Sequence, residues 1–253
     1  MTAPVPILMY HEVSPTPRPT FRKYVVSRRA FARQMSWLRA AGYTPVTLDA
    51  LLAARTGGAR PGAPPLPGRP VVITFDDGFH DCMQYAAEVL ERHAFPATFF
   101  LVAGLVGGTS RWLVPERGLE LRMGDWARAR ELLAAGFDCG SHSLTHPRLA
   151  ALGADACRRE LAESRRVLED GLGREVRHLA YPYGSYDARV RDTAAEVGYR
   201  TACTVEPGPS TADDDLLALR RVPVNGAESL LAFIWRLRPG RGRGAGGTPS
   251  RVA

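Results

Sequence analysis

Val71-Val72-Ile73-Thr74-Phe75-Asp76-Asp77-Gly78 is the stretch on which the fold turns. Its first five residues form a β-branched, largely apolar run, consistent with a strand buried on both faces. Such strands belong to parallel sheets sheathed in helices, and a helix is expected directly after this one, over His80 to His93. Upstream, Pro6 to Tyr10 reads as a strand. Ser27 caps a helix through about Ala41, with Phe31, Met35 and Leu38 on one face and Gly42 as its stop. Tyr43 to Leu48 is a short strand, Asp49 to Ala54 a short helix, and Thr56 to Arg69 a Gly/Pro-rich loop. Downstream come a strand over Ala97 to Val102, a helix over Met123 to Ala135 and a strand over Phe137 to Gly140. A helix over Ala154 to Gly171, a strand over His178 to Ala180, a helix over Asp187 to Val197 and a strand over Tyr199 to Thr204 follow. Arg220 to Val224 is a last strand, and Glu228 to Leu237 a last helix. This alternation predicts an α/β fold with a parallel sheet and helices outside. One domain of this length suggests a closed or nearly closed β/α barrel, with a doubly wound open sheet as the alternative. Either way the chemistry belongs at the C-terminal ends of the strands.

Composition narrows the class. The 253 residues are 45% hydrophobic, enough for one sizeable core. No stretch reaches the ~18–20 apolar residues that span a bilayer. No basic-then-apolar leader is visible, so the chain as given is expected in the cytoplasm, and outside only if a leader has been removed. Cys82, Cys139, Cys157 and Cys203 are scattered and read as reduced, buried thiols. The formal charge is +7, but Arg238, Arg241, Arg243 and Arg251 lie in an acid-free tail, leaving 7 − 4 = +3 on the body. That is too little to argue for nucleic acid. Lys23 is the only lysine. The expected organisation is a domain over residues 1–237 and a disordered Arg/Gly-rich tail over 238–253.

Three segments carry chemistry. Asp76 and Asp77 follow an apolar strand, and Gly78 lets the chain turn. Side chains leaving a strand end diverge, so one carboxylate can hold a metal while its neighbour faces a substrate. Adjacent carboxylates repel unless a cation or shared proton relieves them; the plainer alternative is an N-cap for the next helix. In Ser141-His142-Ser143-Leu144-Thr145-His146-Pro147 two histidines can converge on one ion. With Asp77 they make a two-His, one-carboxylate set that leaves positions open for water and substrate; purely structural histidines are the alternative. Tyr181-Pro182-Tyr183-Gly184, after Ala180, fixes a loop that can present a backbone N–H and aromatic walls, or it is an ordinary Pro-Gly turn.

Together and in this order, the three segments resemble the first three motifs of the polysaccharide deacetylases, carbohydrate esterase family 4. Weaker similarity runs from Pro6-Ile7-Leu8-Met9-Tyr10-His11 to Leu219-Arg220-Arg221-Val222-Pro223-Val224. The resemblance implies a distorted (β/α)7 barrel, Asp76 as general base, and Asp77, His142 and His146 as ligands of one divalent metal, zinc first with cobalt, nickel or iron as alternatives. It implies removal of an N-acetyl group from an amino sugar, with Pro182 and Tyr183 at the substrate and the Tyr183 N–H toward the oxyanion. Two departures matter. The third motif usually carries an Arg where Ala180 stands, and Arg221 is the candidate replacement. The late Leu-x-His motif that supplies a general-acid histidine is missing, since no His follows His178. The start of the chain looks similar to the poly-N-acetylglucosamine deacetylase branch, where Met-Tyr-His opens the barrel and the first strand fills the place of the last. That makes His11 the candidate acid, with a surface residue at a strand exit as the alternative. Competing functions are hydrolysis of another N-acylated small molecule and a non-catalytic carbohydrate-binding protein on the same fold.

Overall fold

The computed structural model describes residues 4–16, 18–57 and 65–237. Among them, seven parallel strands close into a barrel: β1 (Ile7–Tyr10), β2 (Pro70–Phe75), β3 (Thr98–Leu101), β4 (Asp138–Ser141), β5 (His178–Ala180), β6 (Thr201–Pro207) and β7 (Leu219–Pro223). Each pairs with the next from β2 to β7, and β1 closes the ring between β7 and β2. The doubly wound alternative is thereby excluded. The closing registers are Leu8↔Val222 on one side and Tyr10↔Phe75 on the other. Hence His11 and Asp76 leave the barrel at the same level and the same end.

Ile7, Val72, Phe100, Ala180, Cys203 and Leu219, from six of the strands, pack into one apolar cluster inside the ring. The seventh strand contributes Gly140, where an added Cβ would lie 2.6 Å from the Phe100 ring. The interior is therefore filled by one large ring opposite a missing side chain, and any substitution at Gly140 would force strands apart. Helix α2 (Leu48–Arg55) adds Leu48 and Leu51 to the same cluster.

The other helices are α1 (Arg28–Ala40), α3 (His80–His93), α4 (Leu113–Arg117), α5 (Trp126–Ala134), α6 (Ala154–Leu172), α7 (Ala188–Val197) and α8 (Leu230–Arg236). Their apolar stripes pack with strand side chains in a second, larger cluster. Caps fix their starts: Ser27, Asp125, Asp187 and Ser229 accept from the N–H three residues on. All four cysteines are free and buried.

Several boundaries differ from expectation. The helix expected from Met123 begins at Trp126, because Asp125 caps it and Met123 is drawn into a bridge with Phe79. The strand expected over Tyr43 to Leu48 shrinks to Thr44–Pro45, since Thr47 already caps α2. The sixth strand runs on to Pro207. Helix α4 and a two-residue pairing of Glu12–Val13 with Val25–Val26 were not expected at all. The expected tail over 238–253 and part of the expected 56–69 loop lie outside the described residues. No helix among the described residues is long and apolar enough to cross a membrane.

Candidate active site

Asp76 and Asp77 stand at the end of β2, and their backbones send them different ways. Asp77 adopts φ 75°, a left-handed conformation that Asp tolerates better than most residues. Gly78 continues the turn at φ 77°, where a Cβ would meet the Leu101 side chain at 2.9 Å. His142 leaves the end of β4, and Ser143 and His146 take φ 62° and 67° in the loop beyond. That loop is tied down by Ser143 Oγ, which accepts from the His146 N–H at 3.0 Å, and by Glu160, which accepts from the N–H groups of Leu144 and Thr145. Among the described residues, four of the five non-glycine residues with positive φ (Asp77, Ser143, His146 and Tyr183) sit at this one end of the barrel. Unfavourable backbone gathered in one place is the pattern of a functional site held by its surroundings.

The result is a convergence. Asp77 Oδ1 lies 3.4 Å from His142 Nε2 and 3.3 Å from His146 Nε2, and all three residues are buried. One ligand atom from each lies within 4.8 Å of the others. His142 Nδ1 donates to the Ala180 carbonyl at 2.7 Å, which fixes the tautomer and leaves Nε2 as a lone-pair donor. His146 Nδ1 is buried with no partner among the described residues, and its ring stacks on Trp112 at 4.4 Å. Burial alone would raise the Asp77 carboxyl, but without a cation the two imidazoles can carry a proton on Nε2 and donate to it, which outweighs burial and holds its pKa well below the usual carboxylate range; a cation would take the place of those protons. A permanent anion against two imidazole lone pairs suits a divalent cation with open positions, so the donor set fits a metal.

Asp76 takes the other direction. Arg221 grips it bidentately, Nη1 to Oδ1 at 2.7 Å and Nη2 to Oδ2 at 2.6 Å, with Arg221 fully buried. The guanidinium is fixed in turn by Nε donating to the Thr204 carbonyl at 2.8 Å and Nη1 to Thr74 Oγ1 at 3.2 Å. Burial raises the Asp76 carboxyl and Arg221 lowers it, with a net shift downward, so Asp76 stays ionised. Arg221, from β7, is thus the cation that pairs with Asp76.

His11 follows β1 directly. Its half-buried ring packs edge-on against Tyr24 at 4.8 Å. Burial lowers its pKa from the ordinary imidazole value, while Asp77 and then Asp76 pull it up. Those are the charges of the site, so the imidazole stands within their field. The other histidines do not join it. His178 is at the opposite end of the barrel, 2.8 Å from Thr201 Oγ1 and 3.2 Å from Asp49, while His80 and His93 bound α3.

Tyr183, at φ 59°, presents its ring to His146 at 4.6 Å, and its N–H donates to no group among the described residues. Its hydroxyl donates to Glu116 at 2.5 Å. Glu116 and Trp112, on and just before α4, were not singled out in the sequence, where the stretch between Val102 and Met123 was assigned no element. No periodic signal could have placed them beside His146.

A (β/α)7 barrel with an Asp-His-His cluster and a separate clamped carboxylate at its strand ends defines a class of metal-using hydrolases. The chain belongs to the polysaccharide deacetylase family, whose family model matches residues 63–202. It is 29% identical over 231 residues to YxkH of Bacillus subtilis, covering 91% of this chain and 75% of that one. It is 28% identical over 130 residues to a chitooligosaccharide deacetylase of Sinorhizobium fredii, covering 51% of this chain and 53% of the relative. The alignment thus spans about half the length of the chitooligosaccharide deacetylase. Among solved structures, IcaB from Ammonifex degensii superposes with a TM-score of 0.78 at 26% identity, over 94% of this chain and 98% of that one. The family consists of deacetylases that use a divalent metal, and this chain keeps a buried Asp-His-His set able to hold one.

Proposed function

We propose that this protein is a divalent-metal-dependent hydrolase that removes the N-acetyl group from an N-acetylated amino sugar, as part of a glycan or a smaller glycoside. Asp77, His142 and His146 would hold the metal, with zinc the first candidate for a borderline-soft, two-nitrogen and one-oxygen set. The observation that carries this reading is the division of labour between two adjacent carboxylates: Asp77 faces both imidazoles and Asp76 faces Arg221. The name of the chitooligosaccharide deacetylase relative supports an acetylated amino sugar as substrate.

When bound, the metal supplies a Lewis acid that polarises the acetyl carbonyl and acidifies a water. The rest falls to the chain. Asp76 accepts the proton of the attacking water, and Arg221 keeps it ionised and aimed. The free N–H of Tyr183 donates to the oxyanion as it develops on the acetyl oxygen, with Pro182 stiffening the loop that presents it. His11, protonated, donates to the leaving amine, which otherwise would depart as an unstable amide anion. Trp112 and Tyr183 wall the site with apolar faces suited to a sugar ring and an acetyl methyl.

Acetate release from N-acetylglucosamine oligomers, measured beside monomeric N-acetyl amides that are not sugars, tests the substrate. Turnover is expected on the sugars. Release confined to the non-sugar amides would replace the reading with a small-molecule amidase, and release from neither would leave a binding protein.

The catalytic unit is proposed to end near Leu237, whose carbonyl accepts from Tyr43 Oη at 2.9 Å and so pins the end of α8. Truncation after Leu237 should leave the melting temperature and kcat unchanged. A fall in either would show that residues 238–253 pack on the domain or reach the site.

A further inference from the structure

Three cations stand around the mouth of the site, each over an aromatic ring. Arg148, two residues beyond His146, places its guanidinium 4.3 Å from the Tyr183 ring centre. On the opposite side, Arg117 and Lys23 lie 5.8 Å and 5.5 Å from the ring of Tyr24, which itself packs on His11. Among the described residues none of the three has an ion-pair partner, so each keeps its full charge at the rim. The acid placed among them, Glu116, accepts from the Tyr183 hydroxyl and, still charged, offsets one of the three cations. The mouth therefore carries a surplus of positive charge.

The stacking matters for what these groups can do. An Arg resting on an aromatic face uses its π surface and keeps its N–H edge free, in the plane that a carboxylate or phosphate needs. Its side chain has also lost part of its rotamer freedom beforehand, so less is lost when an anion binds. A neutral N-acetyl sugar would leave these unpaired cations with water alone, whereas an anionic one would pair with them at a rim that focuses the field.

Building on the deacetylase reading, we propose that the substrate carries a negative charge on or next to the N-acetylated sugar, which Arg148 and Arg117 recognise. A carboxylate or a phosphate ester on the glycan would satisfy the same chemistry.

The test uses the full, metal-loaded chain. The kcat/KM for acetate release is compared on a neutral N-acetylglucosamine disaccharide, on a disaccharide whose neighbouring sugar bears a carboxylate, and on N-acetylglucosamine bearing a phosphate monoester. At low salt one of the anionic compounds should exceed the neutral one by about tenfold or more, and the advantage should shrink at high salt. Whichever arm wins names the source of the charge. Arg148→Gln and Arg117→Gln should each lower the charged-to-neutral ratio, mainly by raising KM for the charged compound. Calorimetric binding of the same three compounds to wild type and variants gives an independent reading without turnover. No preference in wild type, or a preference that neither substitution lowers, would overturn the inference. Charge-selective binding without any acetate release would uphold it and overturn the deacetylase reading.

Discussion

Asp76→Asn is expected to keep its metal and lower kcat by roughly 10²–10⁴-fold, the usual contribution of a positioned base. Asn cannot accept a proton, yet it retains an oxygen for one of the two Arg221 contacts at 2.7 and 2.6 Å. The substitution has a second consequence. Arg221 is buried without exposure, and with Asn it loses its counter-charge. Breaking a buried pair in this way costs up to ~3–5 kcal/mol, so the melting temperature should fall as well. Metal content and a folded circular-dichroism spectrum, recorded on the same sample as kcat, separate loss of the base from loss of the fold. A folded, metal-loaded Asp76→Asn with near-normal kcat would mean that the base lies elsewhere.

His11→Ala should be the next most damaging change, again by roughly 10²–10⁴-fold in kcat. Burial lowers the His11 pKa, and Asp77 and Asp76 only partly restore it, so its imidazolium is a stronger acid than a free one and gives up its proton readily. The acid form is present below that pKa and is lost as pH rises through it. Wild-type activity should therefore fall on the alkaline side with the loss of this proton, and His11→Ala should flatten that limb. The defect should be smaller on a substrate with a good leaving group, such as an aryl acetate, which departs without protonation. An unaltered alkaline limb, or an equal defect on both substrates, would remove His11 from the role.

Much of this was legible in the sequence because the informative residues sit where chain direction is fixed. The apolar run from Val71 predicts a strand, the strand predicts which end Asp76 and Asp77 occupy, and the same logic places His142 and Tyr183. Arg221 could be singled out because Ala180 leaves a carboxylate without its usual cation. What stayed hidden depends on long-range pairing or on short, irregular pieces. The place of β1 between β7 and β2 is set by contacts more than 200 residues apart for Leu8 and Val222, and only the family resemblance hinted at it. Helix α4 has five residues and contains Pro115, so neither periodicity nor propensity marks it, yet it delivers Glu116 to Tyr183. The helix expected from Met123 started late because Asp125 was not recognised as a cap.

The most direct measurement is metal content and acetate release on the same preparations of wild type and His146→Ala, after chelation and reloading with zinc. The account predicts about one metal per wild-type chain with acetate released from an N-acetylated amino sugar, and loss of both in His146→Ala with the fold retained. Undiminished metal binding in His146→Ala, or acetate release that persists in chelated wild type, would contradict it.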